Sequence, residues 1–95
     1  MKEPRTYQSR EQVQAMRFDG SRESADAILA WLEEADPTEY VEVHVNRGHL
    51  GAPYIWLMAS DVRLRGGQWL ILGEYSEWFA RYNDDFQAGF QEIEQ

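Results

Sequence analysis

Between Tyr40 and Leu72 the chain is written in short alternating runs separated by turn formers, and that pattern restricts it to a mostly antiparallel β-fold. Tyr40-Val41-Glu42-Val43-His44-Val45 puts three valines on one side of a strand and Glu42 with His44 on the other. Asn46 to Pro53 is rich in turn formers and reads as a loop. Tyr54-Ile55-Trp56-Leu57-Met58 is apolar throughout, with Tyr54, Trp56 and Met58 on one face and Ile55 and Leu57 on the other. Ser60 and Asp61 break it, and Val62-Arg63-Leu64-Arg65 alternates again. Gly66-Gly67 reads as a two-residue hairpin turn, returning through Gln68-Trp69-Leu70-Ile71-Leu72. Upstream, Val13 to Phe18 alternates as a first strand, closed by an Asp19-Gly20 turn.

One segment breaks the period of two. Ala25, Ile28, Leu29 and Leu32 recur at i, i+3, i+4, i+7, a helical stripe flanked by Trp31. Ser21 is its expected N-cap, Glu23 sits near the positive end of the helix dipole, and Pro37 forbids continuation. The helix is expected over residues 22–35. After Gly73-Glu74, a strand is expected over Tyr75 to Phe79. Asn83-Asp84-Asp85-Phe86 reads as one helical turn, and Phe90 to Ile93 as a last strand. Strands joined by tight turns pair antiparallel, and the helix must cover a sheet face to hide its stripe. The expected fold is α+β: one main helix on a mostly antiparallel β-sheet, with a short C-terminal helical turn. Residues 1–11 read as a polar lead-in and 12–95 as a single domain.

Composition narrows the class. Four Trp, five Tyr and four Phe supply a core for a chain of 95 residues, since each buried aromatic removes roughly 150–250 Å² from water. With no cysteine, disulfides and Cys-ligated metals are excluded. No apolar run reaches the length of about 18 residues that a membrane span needs, and Met1 to Glu11 lacks the apolar core of a secretory signal. Residence in the cytoplasm is expected, with no membrane partner. The net charge of −8 opposes nucleic acid, whose phosphates need Lys and Arg.

The C-terminal half carries a further pattern: Gly67-Gln68-Trp69-Leu70-Ile71-Leu72-Gly73, then Ser76-Glu77-Trp78-Phe79, then Asp84-x-Phe86 and Phe90-x-x-Ile93. It resembles a widespread group of small phage and prophage proteins, in which this stretch runs Gly-Asp-Trp-Ile-Ile-x-Gly, then Gly-Glu-Phe-Tyr, then Asp-x-Phe and Tyr. Val13-x-Ala15-x-x-Phe18-x-Gly20 is similar to the opening of the same family. Gln68 stands where the family has Asp, and Ser76 where it has Gly. The resemblance implies a phage or prophage origin, hence the cytoplasm of a bacterial host, and implies no activity.

No catalytic constellation stands out. His44 and His49 match no zinc spacing, and Ser60-Asp61 lies in no nucleophile motif. Lys2 is the only lysine. The chain is therefore expected not to be an enzyme and to use no cofactor or metal. The aromatic surplus points to binding instead, because Trp, Tyr and Met are enriched in interface cores. Tyr54, Trp56, Met58, Trp69 and Trp78 are the expected partner-binding residues, with a host bacterial protein or a second copy of the chain as partner. The expected function is a phage accessory protein that binds and modulates a host protein. The alternatives are an acidic mimic built on Glu33, Glu34, Asp36, Glu39 and Glu42, a nucleotide sponge holding phosphate through Arg47, Arg63 or Arg65, and a minor virion component.

Overall fold

Asp19, Ser21 and Ser24 form a small polar knot that starts the main helix. The computed structural model describes residues 3–8, 12–45, 51–89 and 91–92, so His49, Arg47, Phe90 and Ile93 lie outside the described residues. Helix α1 spans Arg22–Ala35. Ser21 is its extended N-cap and its hydroxyl accepts from the Ser24 backbone N–H at 3.1 Å. Ser24 is buried, and its hydroxyl donates to Asp19 Oδ1 at 2.7 Å. The buried face comprises Ser24, Ala25, Ile28, Trp31 and Leu32. Leu29 of the expected stripe is only half-buried, and Trp31 takes its place. The helix ends at Ala35, two residues before Pro37, and the N–H of its cap Asp36 bonds back to the Leu32 carbonyl.

Among the described residues eight strands form two sheets. Strands β1 (Arg5–Gln8), β2 (Gln12–Arg17), β6 (Gln68–Leu72), β7 (Trp78–Tyr82) and β8 (Gln91–Glu92) make a large sheet in the order β7-β6-β2-β1-β8. Strands β3 (Val41–His44), β4 (Tyr54–Leu57) and β5 (Val62–Arg65) make a small one in sequence order. Every described pairing is antiparallel. A second helix, α2, spans Asn83–Gly89. The α+β class therefore holds, with the sheet divided in two.

Both faces of the large sheet are packed. Met16 and Leu70 on one face, the stripe of α1, and Ile55, Leu57 and Leu64 of the small sheet enclose the main core. On the opposite face Val13, Ala15 and Ile71 close against Phe86 of α2. That is why Val13 to Phe18 carries apolar residues in both phases: β2 is central in the sheet and is covered on both sides. Fully burying one such aliphatic side chain contributes roughly 1.5–3 kcal/mol.

Three sequence expectations change. The polar lead-in contains β1, which pairs residue for residue with β2 from Arg5↔Ala15 to Gln8↔Gln12. Its stability comes from that pairing, so no apolar alternation marks it. The strand expected at Tyr75 to Phe79 begins at Trp78. Gly73 to Glu77 forms a turn in which the Gly73 N–H bonds to the Glu77 carbonyl at 2.8 Å and Ser76 takes a left-handed φ of 65°. Ser76 thus occupies a conformation that glycine adopts most readily.

The third change concerns Gly66-Gly67, which joins the two sheets instead of closing a hairpin. The Arg65 backbone N–H donates to the Gln68 side-chain Oε1 at 2.7 Å. Meanwhile Phe18 exchanges backbone bonds with this segment, its N–H donating to the Gln68 carbonyl and its carbonyl accepting from Gly67. The chain therefore leaves β5 and pairs with β2. Gly67, at φ 90°, supplies the bend. The buried Gln68 side chain satisfies a donor that a hairpin ladder would have used.

Candidate functional site

The small sheet has an inner face in the core and an outer face that carries every polar residue of its strands. Val41 and Val43, Ile55 and Leu57, and Val62 and Leu64 point inward. Alternation sends Glu42, His44, Tyr54, Trp56, Arg63 and Arg65 outward. The register then assembles two cross-strand rows. Glu42 lies opposite Trp56, which lies opposite Arg63; His44 lies opposite Tyr54, which lies opposite Arg65.

These side chains are already organised. The His44 and Tyr54 rings stack, with centroids 4.5 Å apart and planes inclined at 23°. The Arg63 guanidinium lies 5.2 Å from the Tyr54 ring centre and 4.9 Å from that of Trp56. Each such contact is worth about 0.5–1 kcal/mol at an exposed site. Glu42 Oε1 lies 3.1 Å from His44 Nε2, which fixes the imidazole from its own strand. Tyr54 and Trp56 are half-buried, while Arg63, Arg65 and Glu42 are exposed. The result is a flat aromatic–cationic surface held in place before any ligand arrives.

Of the five residues expected to bind a partner, the structure brings Tyr54 and Trp56 together here. Met58 follows the end of β4, in the turn after it, and is 40% exposed. Trp69 is elsewhere, on the α2 side of the large sheet. It stacks on Phe86 at 4.1 Å, and its Nε1 donates to Asn83 Oδ1 at 2.9 Å. Trp78 is buried in the main core, edge-on to Trp31 at 5.0 Å, with its Nε1 donating to Asp36 Oδ2 at 3.2 Å. Trp69 anchors α2 and Trp78 anchors the C-terminal end of α1. Neither shares a surface with Trp56. The residues of this face that the expected partner-binding set left out are Glu42, His44, Arg63 and Arg65, of which Arg63 and Arg65 were expected only as phosphate holders and Glu42 only in an acidic cluster. The signal for them was the alternation of β3 and β5, but joining them to Tyr54 and Trp56 requires the register.

Ser60 takes part in a turn closed by Glu39. The Ser60 hydroxyl donates to Glu39 Oε2 at 3.0 Å, and Glu39 Oε1 accepts the backbone N–H groups of Ala59 and Ser60. Glu39 thereby closes the turn between β4 and β5. Among the described residues no group of three or more acids and histidines is placed to hold a metal ion. The acidic cluster expected to mimic phosphates is also divided. Asp36 accepts from Trp78 and Thr38, Glu39 holds a turn, and Glu42 faces the outer sheet surface. No described helix is long and apolar enough to cross a membrane. Comparison with protein families, with curated proteins and with solved structures finds no match to this chain.

Proposed function

We infer that this chain is a non-enzymatic binding protein that docks the outer face of β3-β4-β5 onto a protein partner. The observation that carries this is the Tyr54–Arg63–Trp56 cluster. Trp, Tyr and Arg are the residue types that dominate binding energy at protein interfaces, and they do so where they are rigid before binding. Here Arg63 touches both rings, and His44 braces Tyr54 from the neighbouring strand. The small sheet supplies the rigid support.

The resemblance of Gly67 to Ile93 to phage proteins gives the reading its setting: an accessory protein that binds and modulates a host protein in the bacterial cytoplasm. Two positions bear on that resemblance. Gln68 and Ser76, the departures from the pattern, serve turn geometry in this chain, and Gln68 brings no carboxylate to the position where the family has Asp. Affinity capture from a bacterial lysate tests the function. The expected result is a stoichiometric host protein and altered growth of cells expressing the chain. Recovery of none, together with normal growth, overturns it.

A second reading, a nucleotide sponge, is favoured by one observation: two arginines beside two aromatic rings. Its test is thermal stability with added nucleotides, and an unchanged melting temperature at millimolar ligand removes it.

A further inference from the structure

We propose that the outer face of the small sheet recognises an extended acidic segment of its protein partner, with Arg63 and Arg65 selecting carboxylates at alternate positions. This rests on the docking role assigned above to Tyr54 and Trp56, and it adds the chemistry of what docks there.

The first support is charge. The chain carries −8 overall, yet this face gathers two guanidinium groups against one carboxylate. That carboxylate, Glu42, is engaged by His44 at 3.1 Å. Among the described residues Arg22 forms an ion pair with Asp26, His44 Nε2 lies beside Glu42, and neither Arg63 nor Arg65 has a carboxylate partner. Neither guanidinium donates a hydrogen bond within the described structure; Arg65 contributes only its backbone N–H, to Gln68. An acidic protein that leaves two arginines unneutralised side by side presents them to an outside anion. A guanidinium resting on aromatic rings keeps its N–H donors for bidentate contact with a carboxylate.

Spacing is the second support. Arg63 and Arg65 lie two residues apart on one strand and one face. They are therefore about 7 Å apart along the strand. An extended peptide with acids at positions i and i+2 repeats that spacing. Its backbone would run beside Trp56 and Tyr54, which are opposite the two arginines in the register.

The same facts disfavour other occupants. A second copy would bring its own Arg63 and Arg65 against this pair. A single-stranded nucleic acid needs ring faces on which bases stack, but Tyr54 is flanked by His44 from β3 and by Arg63 from β5. The overall negative charge also repels a polyanion more than a segment bearing a pair of acids.

The test uses the isotopically labelled full chain and short synthetic peptides of identical Leu and Trp content. Their alternate positions are Glu in one peptide, Gln in the second and Lys in the third; a short oligothymidylate is the nucleic-acid probe. The Glu peptide is expected to shift the NMR signals of Tyr54, Trp56, Arg63 and Arg65. Its affinity should fall about tenfold between about 50 and about 300 mM salt, as the charge contact is screened. The Gln peptide should bind about tenfold more weakly, and the Lys peptide and oligothymidylate should leave these signals unmoved. The Arg63→Gln/Arg65→Gln variant, with an otherwise unchanged spectrum, should lose the preference for Glu. Equal binding of the Glu and Gln peptides at this face overturns the acidic assignment and leaves the docking face standing. Stronger binding of the Lys peptide or of oligothymidylate, or self-association through this face, overturns it in favour of that occupant. Failure of every probe to move these signals overturns the assignment and the docking face together.

Discussion

Replacing Trp78 with Ala should cost the fold about 3–5 kcal/mol, the range for a large aromatic deleted from a core, whereas the same change at Trp56 should cost about 1 kcal/mol, the scale of its exposed cation–π contact. The difference follows from where each indole lies. Trp78 is 6% exposed, packs edge-on against Trp31 and donates to Asp36. Its loss opens a cavity beside α1 and leaves Asp36 without that donor. Trp56 is half-buried on the outer face, where its described neighbour is the Arg63 guanidinium. Small domains hold about 5–15 kcal/mol in total, so Trp78→Ala could unfold the chain outright. Trp78→Phe keeps most of the packing and removes the N–H donor; it should cost about 1–3 kcal/mol. The assay is urea unfolding followed by far-ultraviolet circular dichroism, because tryptophan fluorescence changes with the substitution itself. Unchanged denaturant slopes would show that midpoints report stability. A Trp56→Ala variant as unstable as Trp78→Ala would refute the division into a binding tryptophan and a core tryptophan, as would a Trp78→Ala variant of wild-type stability.

Three further predictions concern the scaffold. Gln68→Ala removes the acceptor of the part-buried Arg65 N–H and should cost about 0.5–1.5 kcal/mol in the same urea experiment; a neutral result would show that the sheet-to-sheet turn does not depend on that side chain. Phe86→Ala deletes the fully buried side chain under α2 and should cost about 3–5 kcal/mol, with faster amide exchange in Asn83–Gly89 as its local signature. Ser21→Ala removes the N-cap acceptor of α1 and should lower stability by about 1 kcal/mol without changing the fold.

Much of the architecture was legible where local rules act alone. Ser21, the apolar stripe and Pro37 define α1 to within a residue, since cap chemistry and helical period need no tertiary information. The alternation of β3, β4 and β5 likewise separates Tyr54 and Trp56 from Ile55 and Leu57. What stayed hidden depends on distant partners. Arg5–Gln8 is a strand because Gln12 to Ala15 lies beside it, and a polar segment carries no mark of that neighbour. Gly66-Gly67 has the composition of a hairpin, but a side chain at Gln68 and a backbone exchange with Phe18 redirect the chain. Trp69 and Trp78 look equivalent to Trp56 in sequence because alternation assigns a face without saying what covers it. Helix α2 covers Trp69, and α1 covers Trp78. Arg63 joins Tyr54 and Trp56 only once the register is known.

The central claim is that Tyr54, Trp56 and Arg63 form the partner-binding face. Its most direct test is parallel affinity capture from host lysate with the wild-type chain, the Tyr54→Ala/Trp56→Ala/Arg63→Ala variant, and a Tyr75→Ala/Tyr82→Ala control altered at exposed tyrosines elsewhere. All three should share one circular dichroism spectrum. The account predicts that wild type and control retain the same protein at equal yield and that the outer-face variant loses it. Equal retention by the outer-face variant, or loss confined to the control, would contradict it.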